Sequence, residues 1–283
     1  MNFCDPQQMP ELPEVEVSRL GLLPHLPGKR IVQAVFRVPR LRHDIPAELP
    51  GRLAGLPVSA IHRRGKYLLF DCASEHDGGW LILHLGMSGS LRLVANGTPA
   101  QKHDHVDLVF ADTTLRLRDP RRFGTVLWHE GRGVEKHPLI AVLGIEPLSA
   151  AFDGEWLYRV TRQRSTPIKP LLMDSHLVVG IGNIYAAEAL FRAGIAPARA
   201  AGRIGRERCR VLAAHIRATL QESIAAGGSS VRDYVHSDGG AGCFQLCCAV
   251  YDRAGQPCPT CGQPVRAIRQ SGRSTFYCPR CQH

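Results

Sequence analysis

Two C-x-x-C pairs near the C-terminus constrain the fold of this chain most strongly. Cys258 and Cys261 form the first pair, Cys278 and Cys281 form the second, and sixteen residues separate them. Four thiolates held by two tight turns are typical of a structural zinc site. The alternatives are two disulfides, which need an oxidising compartment, or free core cysteines. Residues 1–20 lack the basic region and apolar run of a secretory signal, so we expect a cytoplasmic protein with one bound Zn²⁺ ion.

The charge balance indicates a polyanionic partner. The chain has 35 Lys+Arg against 25 Asp+Glu, a formal net charge of +10. Residues 243–283 hold five arginines and a single acidic residue, Asp252. Such a basic C-terminal zinc module is more typical of nucleic-acid binding than of protein binding. No apolar run approaches the roughly 18 residues that a membrane helix needs, so we expect no membrane association.

The first half of the chain is typical of an antiparallel β-sandwich or barrel. A helix over about 13–23 precedes a series of short β-rich runs that turn residues separate. These predicted strands cover residues 31–38, 67–72, 80–85, 90–94, 106–110, 115–118 and 125–129. The polar, glycine-bearing segment 131–138 then marks a domain boundary.

After residue 135 the pattern becomes helical. Apolar residues recur at a spacing of four over residues 212–224, and Gly227 and Gly228 end that predicted helix. Upstream, Gly180 and Gly182 interrupt an apolar run, and Asn183 stands in an N-cap position before a helix over 184–193. A helix, tight turns and a second helix can bind a phosphate through exposed amides, although an ordinary helical hairpin is an equal alternative.

The segment from Met9 to Glu16 reads MPELPEVE and suggests covalent chemistry. If Met9 is removed, Pro10 becomes an N-terminal secondary amine, which can attack an aldehyde-like sugar carbon and form a Schiff base. Glu11 beside it could move a proton. The alternative is that the prolines only shape the entry to a helix. An internal Pro10 has no nucleophilic nitrogen, so residues 1–8 oppose the catalytic interpretation.

Seven motifs, in order along the chain, resemble the bacterial formamidopyrimidine-DNA glycosylase family. They are 9–16 (MPELPEVE), 64–68 (RGKYL), 84–90 (HLGMSGS), 102–107 (KHDHVD), 119–124 (DPRRFG), 180–185 (GIGNIY) and 272–278 (GRSTFYC). The resemblance implies an α+β fold: an N-terminal antiparallel β-sandwich, a helical helix-two-turn-helix domain and a C-terminal four-cysteine zinc finger.

The resemblance also implies a domain plan and an activity. We expect an extra N-terminal segment over 1–9, a catalytic sandwich over 10–135, a helix-two-turn-helix domain over 150–242 and a zinc finger over 243–283. The implied protein is a monomeric glycosylase and abasic-site lyase that acts on damaged double-stranded DNA. It removes oxidised purines, and its product is a one-nucleotide gap with phosphate on both sides.

Four catalytic residues carry over from the family. Pro10 would attack the sugar C1′ atom and expel the damaged base, while Glu11 donates a proton. Lys66 would bind a phosphate near the lesion and assist β-elimination. Arg273 would grip phosphates that flank the flipped nucleotide and assist δ-elimination, a contact that suits the planar guanidinium. The alternative for Lys66 is a solvated charge at the end of a basic run.

Further residues match positions that contact DNA or fill the space left by the flipped base. The expected void-filling residues are Met87, Arg121 and Phe123, of which Met87 and Phe123 could instead be core residues. The expected DNA contacts are His84, His103, Arg121, Arg122, Arg164 and Asn183. Relatives commonly carry lysine at the position of Arg164, so the resemblance implies a phosphate contact by a cationic side chain there but not its exact geometry.

Two other functions stay open from the sequence. An endonuclease VIII-like enzyme would prefer oxidised pyrimidines, but Leu12 and the glycine-rich segment 227–245 favour the formamidopyrimidine branch. A non-catalytic, zinc-dependent damaged-DNA-binding protein would lack a free Pro10 amine. If translation starts at Met9 and Met9 is then removed, Pro10 is a free amine. If translation starts at Met1, the residues before Pro10 must be cut away or the protein is catalytically inactive.

Overall fold

The computed structural model describes residues 9–72, 78–228 and 248–283, and these form two compact units. The sandwich unit contains the described residues up to Val142 together with Gly227 and Gly228. The helical unit contains residues 143–226 and 248–283. None of the helices in these ranges combines the length and the apolar character that crossing a bilayer requires.

The sandwich unit is built from two four-stranded antiparallel sheets. The elements of this unit are α1 (Leu12–Leu22), β1 (Gln33–Phe36), α2 (Leu49–Leu53), β2 (Ala60–Arg64), β3 (Tyr67–Asp71), β4 (Gly79–His84), β5 (Ser90–Val94), β6 (Asp104–Val109), β7 (Thr114–Arg118), β8 (Thr125–Glu130) and α3 (Pro138–Ala141). One sheet has the strand order β1-β6-β7-β5 and the other has the order β2-β3-β4-β8. Apolar side chains from both sheets, such as Phe70 and Leu115, form one buried core. The predicted antiparallel sandwich is therefore confirmed.

Two elements of this unit escaped the sequence prediction. Strand β2 lies on a basic run, HRR, and only Ile61 of the strand is fully buried. A strand at a sheet edge with one buried side chain gives almost no hydrophobic alternation to detect. The short helix α2 buries only Leu49 and Leu53. In contrast, β1 is shorter than the predicted 31–38, since pairing with β6 covers only Gln33 to Phe36.

The helical unit packs α4 (Gly154–Thr161), α5 (Ile168–Leu172), α6 (Asn183–Arg192) and α7 (Arg206–Ala225) around a second core. The predicted apolar face of α7 is confirmed, because Leu212, Ile216 and Leu220, which are four residues apart, are all buried. The prediction that Asn183 caps α6 is wrong. Gly182 is the N-cap, and Asn183 begins the helix with its side chain directed to a bond outside it.

The C-terminal finger is a hairpin of β9 (Arg266–Gln270) and β10 (Arg273–Tyr277). Ser271 and Gly272 join the strands with φ angles of 48° and 78°. Two central residues with positive φ define the type I′ turn, which matches the twist of a two-residue hairpin. Phe276 is buried against Tyr251, with ring centroids 5.3 Å apart, as expected for a small core.

Buried polar bonds attach the finger to α6. The carboxylate of Glu188, on α6, accepts three consecutive backbone N–H groups, from Ala249, Val250 and Tyr251, at 2.8–3.0 Å. At the other end of the finger, Gln282 donates to the carbonyl of Ile195 at 2.9 Å. The finger and the helices therefore form one unit around a common core.

A buried ion pair stiffens the first sheet of the sandwich. Arg116 on β7 donates to both carboxylate oxygens of Asp107 on β6, at 2.8 and 2.9 Å. Burial raises the pKa of Asp107, but the hydrogen bonds from Arg116 and Arg37 outweigh it, so the pKa lies below its ordinary value. A bidentate pair of this kind holds the two strands in register.

We predict that Asp107→Asn destabilises the protein by about 3 kcal/mol, since Arg116 keeps a buried charge without its carboxylate. Because folding lowers the Asp107 pKa, its stabilisation is present above the unfolded-state value and is lost as the pH falls below it. Urea unfolding at neutral and acidic pH measures both effects. The exposed pair of Arg40 and Asp44 supplies the control, Asp44→Asn, which should change stability by less than about 1 kcal/mol. Equal losses in the two variants would contradict this account.

Candidate active site and nucleic-acid interface

The first turn of α1 fixes Pro10 and Glu11. Glu11 is the N-cap, and a capping box links it to Glu14: each side chain accepts the other's backbone N–H, and the Glu11 N to Glu14 Oε2 distance is 2.8 Å. Both carboxylates are buried, at 3% and 0% exposure, at the positive end of a helix. Pro10 is buried immediately before them. The sequence prediction did not include this reciprocal bond between Glu11 and Glu14.

The end of the second sheet brings Lys66, Tyr67 and His84 together. Tyr67, His84 and Thr125 are cross-strand partners on β3, β4 and β8, and Lys66 precedes Tyr67 in the β2–β3 turn. The rings of Tyr67 and His84 are 4.8 Å apart. His84 Nδ1 accepts the backbone N–H of Gly86 at 2.9 Å, so the proton of the neutral ring is on Nε2.

His84 is neutral at physiological pH. Its burial, followed by the positive charges of Lys66 and Arg42, lowers its pKa to about 3. A neutral imidazole whose Nδ1 is occupied offers one N–H donor, at Nε2, without adding charge. Such a donor beside a lysine suits a phosphate oxygen.

Asp119 joins the two segments that carry the expected void-filling residues. It is fully buried, and its carboxylate accepts the Ser88 hydroxyl at 2.8 Å and the Gly124 N–H at 2.7 Å. The N–H of Arg121 in turn donates to Ser88 Oγ at 3.2 Å. A buried carboxylate with several donors fixes both segments, 85–90 and 119–124, against each other.

Gly86 allows these two segments to touch. It has a φ of +65°, and a Cβ atom there would lie 2.4 Å from the carbonyl carbon of Phe123. Met87 is half-buried, whereas Phe123 is 43% exposed, so Phe123 is no core residue. The guanidinium of Arg121 lies 4.9 Å from the Phe123 ring centroid, a cation–π contact. The structure thus places Met87, Arg121 and Phe123 on two joined segments with an exposed ring.

His103 and Arg122 both adopt left-handed backbone conformations, with φ of 78° and 57°. Such angles are uncommon outside glycine and cluster at functional sites. His103 precedes β6, where a bulge shifts the register between Asp104 and Val106. His105 bonds through Nε2 to the carbonyl of Asp119 at 3.0 Å, so its ring supports the 119–124 segment.

In the helical unit, Lys169 connects Asn183 with the hairpin that carries Arg273. Lys169 is 1% exposed, and its Nζ donates to Asn183 Oδ1 at 2.6 Å, Thr275 Oγ1 at 2.7 Å and the Ser274 carbonyl at 3.2 Å. Asn183 Nδ2 donates to the same carbonyl at 3.0 Å. Exposed Arg273 directly follows the type I′ turn. Lys169 was missed by the sequence prediction, although a lysine within an apolar helix was a usable signal.

Arg164 and the segment 227–245 are the remaining expected regions. Arg164 is exposed between α4 and α5, and its Nε donates to the carbonyl of Val160 at 3.1 Å. The segment 227–245, expected to close over a damaged base, lies outside the described residues apart from Gly227 and Gly228. Gly228 has a φ of +79°, and a Cβ atom on it would lie 3.3 Å from Glu14 Oε1.

The four finger cysteines form a site for one metal ion. Their Sγ atoms all lie within 4.8 Å of one another, with 3.9 Å between Cys258 and Cys281 and 3.5 Å between Cys261 and Cys278. Tetrahedral zinc with bonds of about 2.3 Å implies sulfur separations of about 3.8 Å. A disulfide requires about 2.05 Å, so the disulfide alternative is wrong for these residues. The donor set fits a closed structural zinc site.

The class of protein follows from these parts. A sandwich unit carries two arginines on a loop that a buried aspartate holds, and a helical unit ends in a basic four-cysteine finger. This combination is typical of a nucleic-acid-binding protein with a zinc finger.

Comparison with known families divides the chain into three consecutive matches. Residues 9–126 match the formamidopyrimidine-DNA glycosylase N-terminal domain, and residues 143–235 match the formamidopyrimidine-DNA glycosylase H2TH domain. Residues 255–283 match the zinc finger found in FPG and IleRS.

Relatives match over almost the whole chain. The formamidopyrimidine-DNA glycosylase of Dechloromonas aromatica is 62% identical over 277 residues, which cover 97% of this chain and 100% of the relative. The Lactococcus lactis Fpg in complex with abasic-site DNA has a TM-score of 0.87 at 34% identity, covering 96% of this chain and 99% of that one. The MutM (Fpg) protein of Thermus thermophilus has a TM-score of 0.85 at 39% identity, covering 96% and 98%. This chain belongs to the formamidopyrimidine-DNA glycosylase family.

We predict one zinc ion per chain, and Cys258→Ser should lose both the metal and duplex binding while the sandwich unit stays folded, because a small finger folds only with its metal. Metal analysis, circular dichroism and anisotropy with labelled duplex measure these effects. Cys72→Ala, in the core of the sandwich unit, is the control and should retain zinc. Full duplex affinity in a metal-free sample would rule out this role for the finger.

Proposed function

We propose that this protein removes oxidised purines from duplex DNA and then cleaves the abasic site by β,δ-elimination through a Schiff base on Pro10. As a member of its family it is a DNA glycosylase of base excision repair. The observation that carries the proposal is the α1 terminus, where a buried proline directly precedes a buried carboxylate in a capping box.

The first step requires Pro10 as the free N-terminal amine. The damaged nucleotide must leave the base stack, since its sugar C1′ atom is otherwise out of reach. The Pro10 nitrogen attacks C1′ as the bond from C1′ to the base breaks, and the base leaves with a proton. Glu11 donates the proton to the opening sugar ring or to the leaving group. The result is an iminium ion between Pro10 and the opened sugar.

Two eliminations then cut the strand. Loss of a 2′ proton breaks the bond from C3′ to its phosphate oxygen, and a further elimination breaks the bond from C5′ to its phosphate oxygen. Lys66, beside the neutral His84, binds a phosphate and assists the first elimination. Arg273 binds flanking phosphates and assists the second. Asn183 and Lys169 support Arg273 through the Ser274 carbonyl and Thr275.

Met87, Arg121 and Phe123 take the place of the extruded base. An exposed aromatic ring can wedge between base steps, and an arginine can face the orphaned partner base. The exposure of Phe123 and the rigid support from Asp119 favour this role. His103, Arg122 and Arg164 add phosphate contacts, and the protein acts as a monomer.

We also propose that the protein works in the bacterial cytoplasm, on nucleoid DNA.

Oxidised pyrimidines are a second candidate substrate class, favoured by one observation. The Lactococcus lactis Fpg, 35% identical to this chain, has been solved with an oxidised-pyrimidine-containing DNA. Excision rates on duplexes with 8-oxoguanine or an oxidised pyrimidine would rank the two classes, and faster excision of the pyrimidine would reverse our order.

Trapping with borohydride tests the mechanism, because the reagent reduces an iminium ion to a stable adduct. Protein translated from Met9, with Met9 removed, should give a covalent adduct with 8-oxoguanine DNA. An intact chain that starts at Met1, verified by mass spectrometry, should give none, since its Pro10 nitrogen is an amide. Glu11→Gln in the shorter form should slow base release on 8-oxoguanine by at least about tenfold. Robust trapping by the intact chain would show that another amine is the nucleophile.

We predict that Arg121→Ala reduces discrimination of the base opposite the lesion by about 1–3 kcal/mol, because an arginine reads a base edge through two donors. Its overall duplex affinity should fall much less. Excision from 8-oxoguanine duplexes with each of the four opposite bases measures the effect. Arg132→Ala, an exposed arginine beyond β8, is the matched control for charge. An unchanged opposite-base preference would remove Arg121 from this role.

A further inference from the structure

The loop over residues 39–45 presents two exposed arginines, Arg40 and Arg42, from a fixed backbone. Its ends are closed by the hydrogen bond from Ile45 N to the Pro39 carbonyl, at 2.9 Å, and a second bond joins Leu41 N to the His43 carbonyl at 3.1 Å. Leu41 and Ile45 are buried and anchor the loop in the sandwich core. Arg42 lies between these anchors and is exposed.

The backbone of Arg42 is attached beside His84. Its N–H donates to the Gly124 carbonyl at 2.9 Å. Gly124 precedes Thr125, the cross-strand partner of His84, and a Cβ atom on Gly124 would lie 3.1 Å from the His84 carbonyl oxygen. The backbone of Arg42 therefore lies at the same edge of the sheet at which Lys66, Tyr67 and His84 meet.

The charge of Arg42 also acts on two groups at this edge. Burial raises the pKa of Tyr67, and the charge of Arg42 opposes the rise. After burial, the charges of Lys66 and Arg42 are the two causes that lower the pKa of His84. Both cations therefore act on the same neutral imidazole.

Arg42 differs from neighbouring arginines in its partners. Arg40 pairs with Asp44 at 3.5 Å, and Arg63 pairs with Glu16 at 2.8 Å. Over the described ranges, no carboxylate lies within ion-pair distance of Arg42. Since no carboxylate of these ranges neutralises Arg42, its charge adds to the positive potential around Lys66, and this potential favours the binding of an external anion.

We propose that Arg42 is a further DNA-binding residue of this site, where its guanidinium contacts a backbone phosphate beside the one bound by Lys66 and His84. The proposal rests on the proposed function, because it assumes a damaged duplex as the anion. The planar fork of arginine can bind two oxygens of one phosphate, and the fixed loop lowers the entropy lost on binding. Arg42 thus anchors the strand at the edge from which Lys66 acts.

Duplex binding tests the role of Arg42 independently of catalysis. The zinc-loaded full chain, Arg42→Ala, Arg42→Lys and the control Arg40→Ala would be titrated with a duplex that contains a tetrahydrofuran abasic analogue, and with an undamaged duplex. The salt concentration would vary from about 50 to about 200 mM. Loss of one phosphate contact should lower the slope of log affinity against log salt by about 0.9.

We expect Arg42→Ala to weaken binding of the abasic-analogue duplex about tenfold, with the reduced salt slope and an unchanged melting temperature. Arg42→Lys should keep the slope and recover only part of the affinity, since it lacks the fork. Arg40→Ala should change affinity less than about twofold. If Arg42→Ala and Arg40→Ala have the same affinity and salt slope, while the wild type prefers the abasic-analogue duplex, only the role of Arg42 is overturned. A wild type without that preference would overturn the proposed function and this contact with it.

Discussion

The reciprocal hydrogen bonds between Glu11 and Glu14 are the interaction on which the proposed chemistry depends. Two buried carboxylates lie at the N-terminus of α1, where backbone N–H groups and the helix dipole compensate for their loss of water. Because each carboxylate binds the other's backbone, the chain can enter the helix in one conformation only. Residue 10, which directly precedes this box and is buried, is thereby held in a fixed position, as the proposed chemistry requires.

The same principle supports the other side chains of the proposed site. Asp119 is buried and binds Ser88 and Gly124, so the loops with Met87, Arg121 and Phe123 keep their shape without a regular element. Lys169 is buried and binds Asn183 and Thr275, so the hairpin before Arg273 is held on the helices. In each case a buried charged group with several hydrogen bonds orients residues for which we propose a contact with DNA.

The sequence predicted the features that local pattern and chemistry determine. Cysteine spacing was sufficient for the metal site, and apolar spacing was sufficient for α7 and for most strands of the sandwich. Features that depend on distant partners were missed. Asn183 resembles an N-cap but bonds to the finger, about ninety residues away in the chain, and Lys169 bonds to Thr275, 106 residues away. Strand β2 pairs with β3, although three of its five residues, His62, Arg63 and Arg64, are basic. Arg42 required the contact with Gly124 to stand out.

The most direct test of the central claim is the site of covalent attachment in the borohydride-reduced adduct. Peptide mapping by tandem mass spectrometry, on protein that begins at Pro10, would locate the reduced sugar remnant. Our account predicts the remnant on the nitrogen of Pro10, in the peptide that contains Glu11 and Glu14. A remnant on the side chain of a lysine, such as Lys66, would contradict it, since the capping box would then position a residue that takes no part in bond formation.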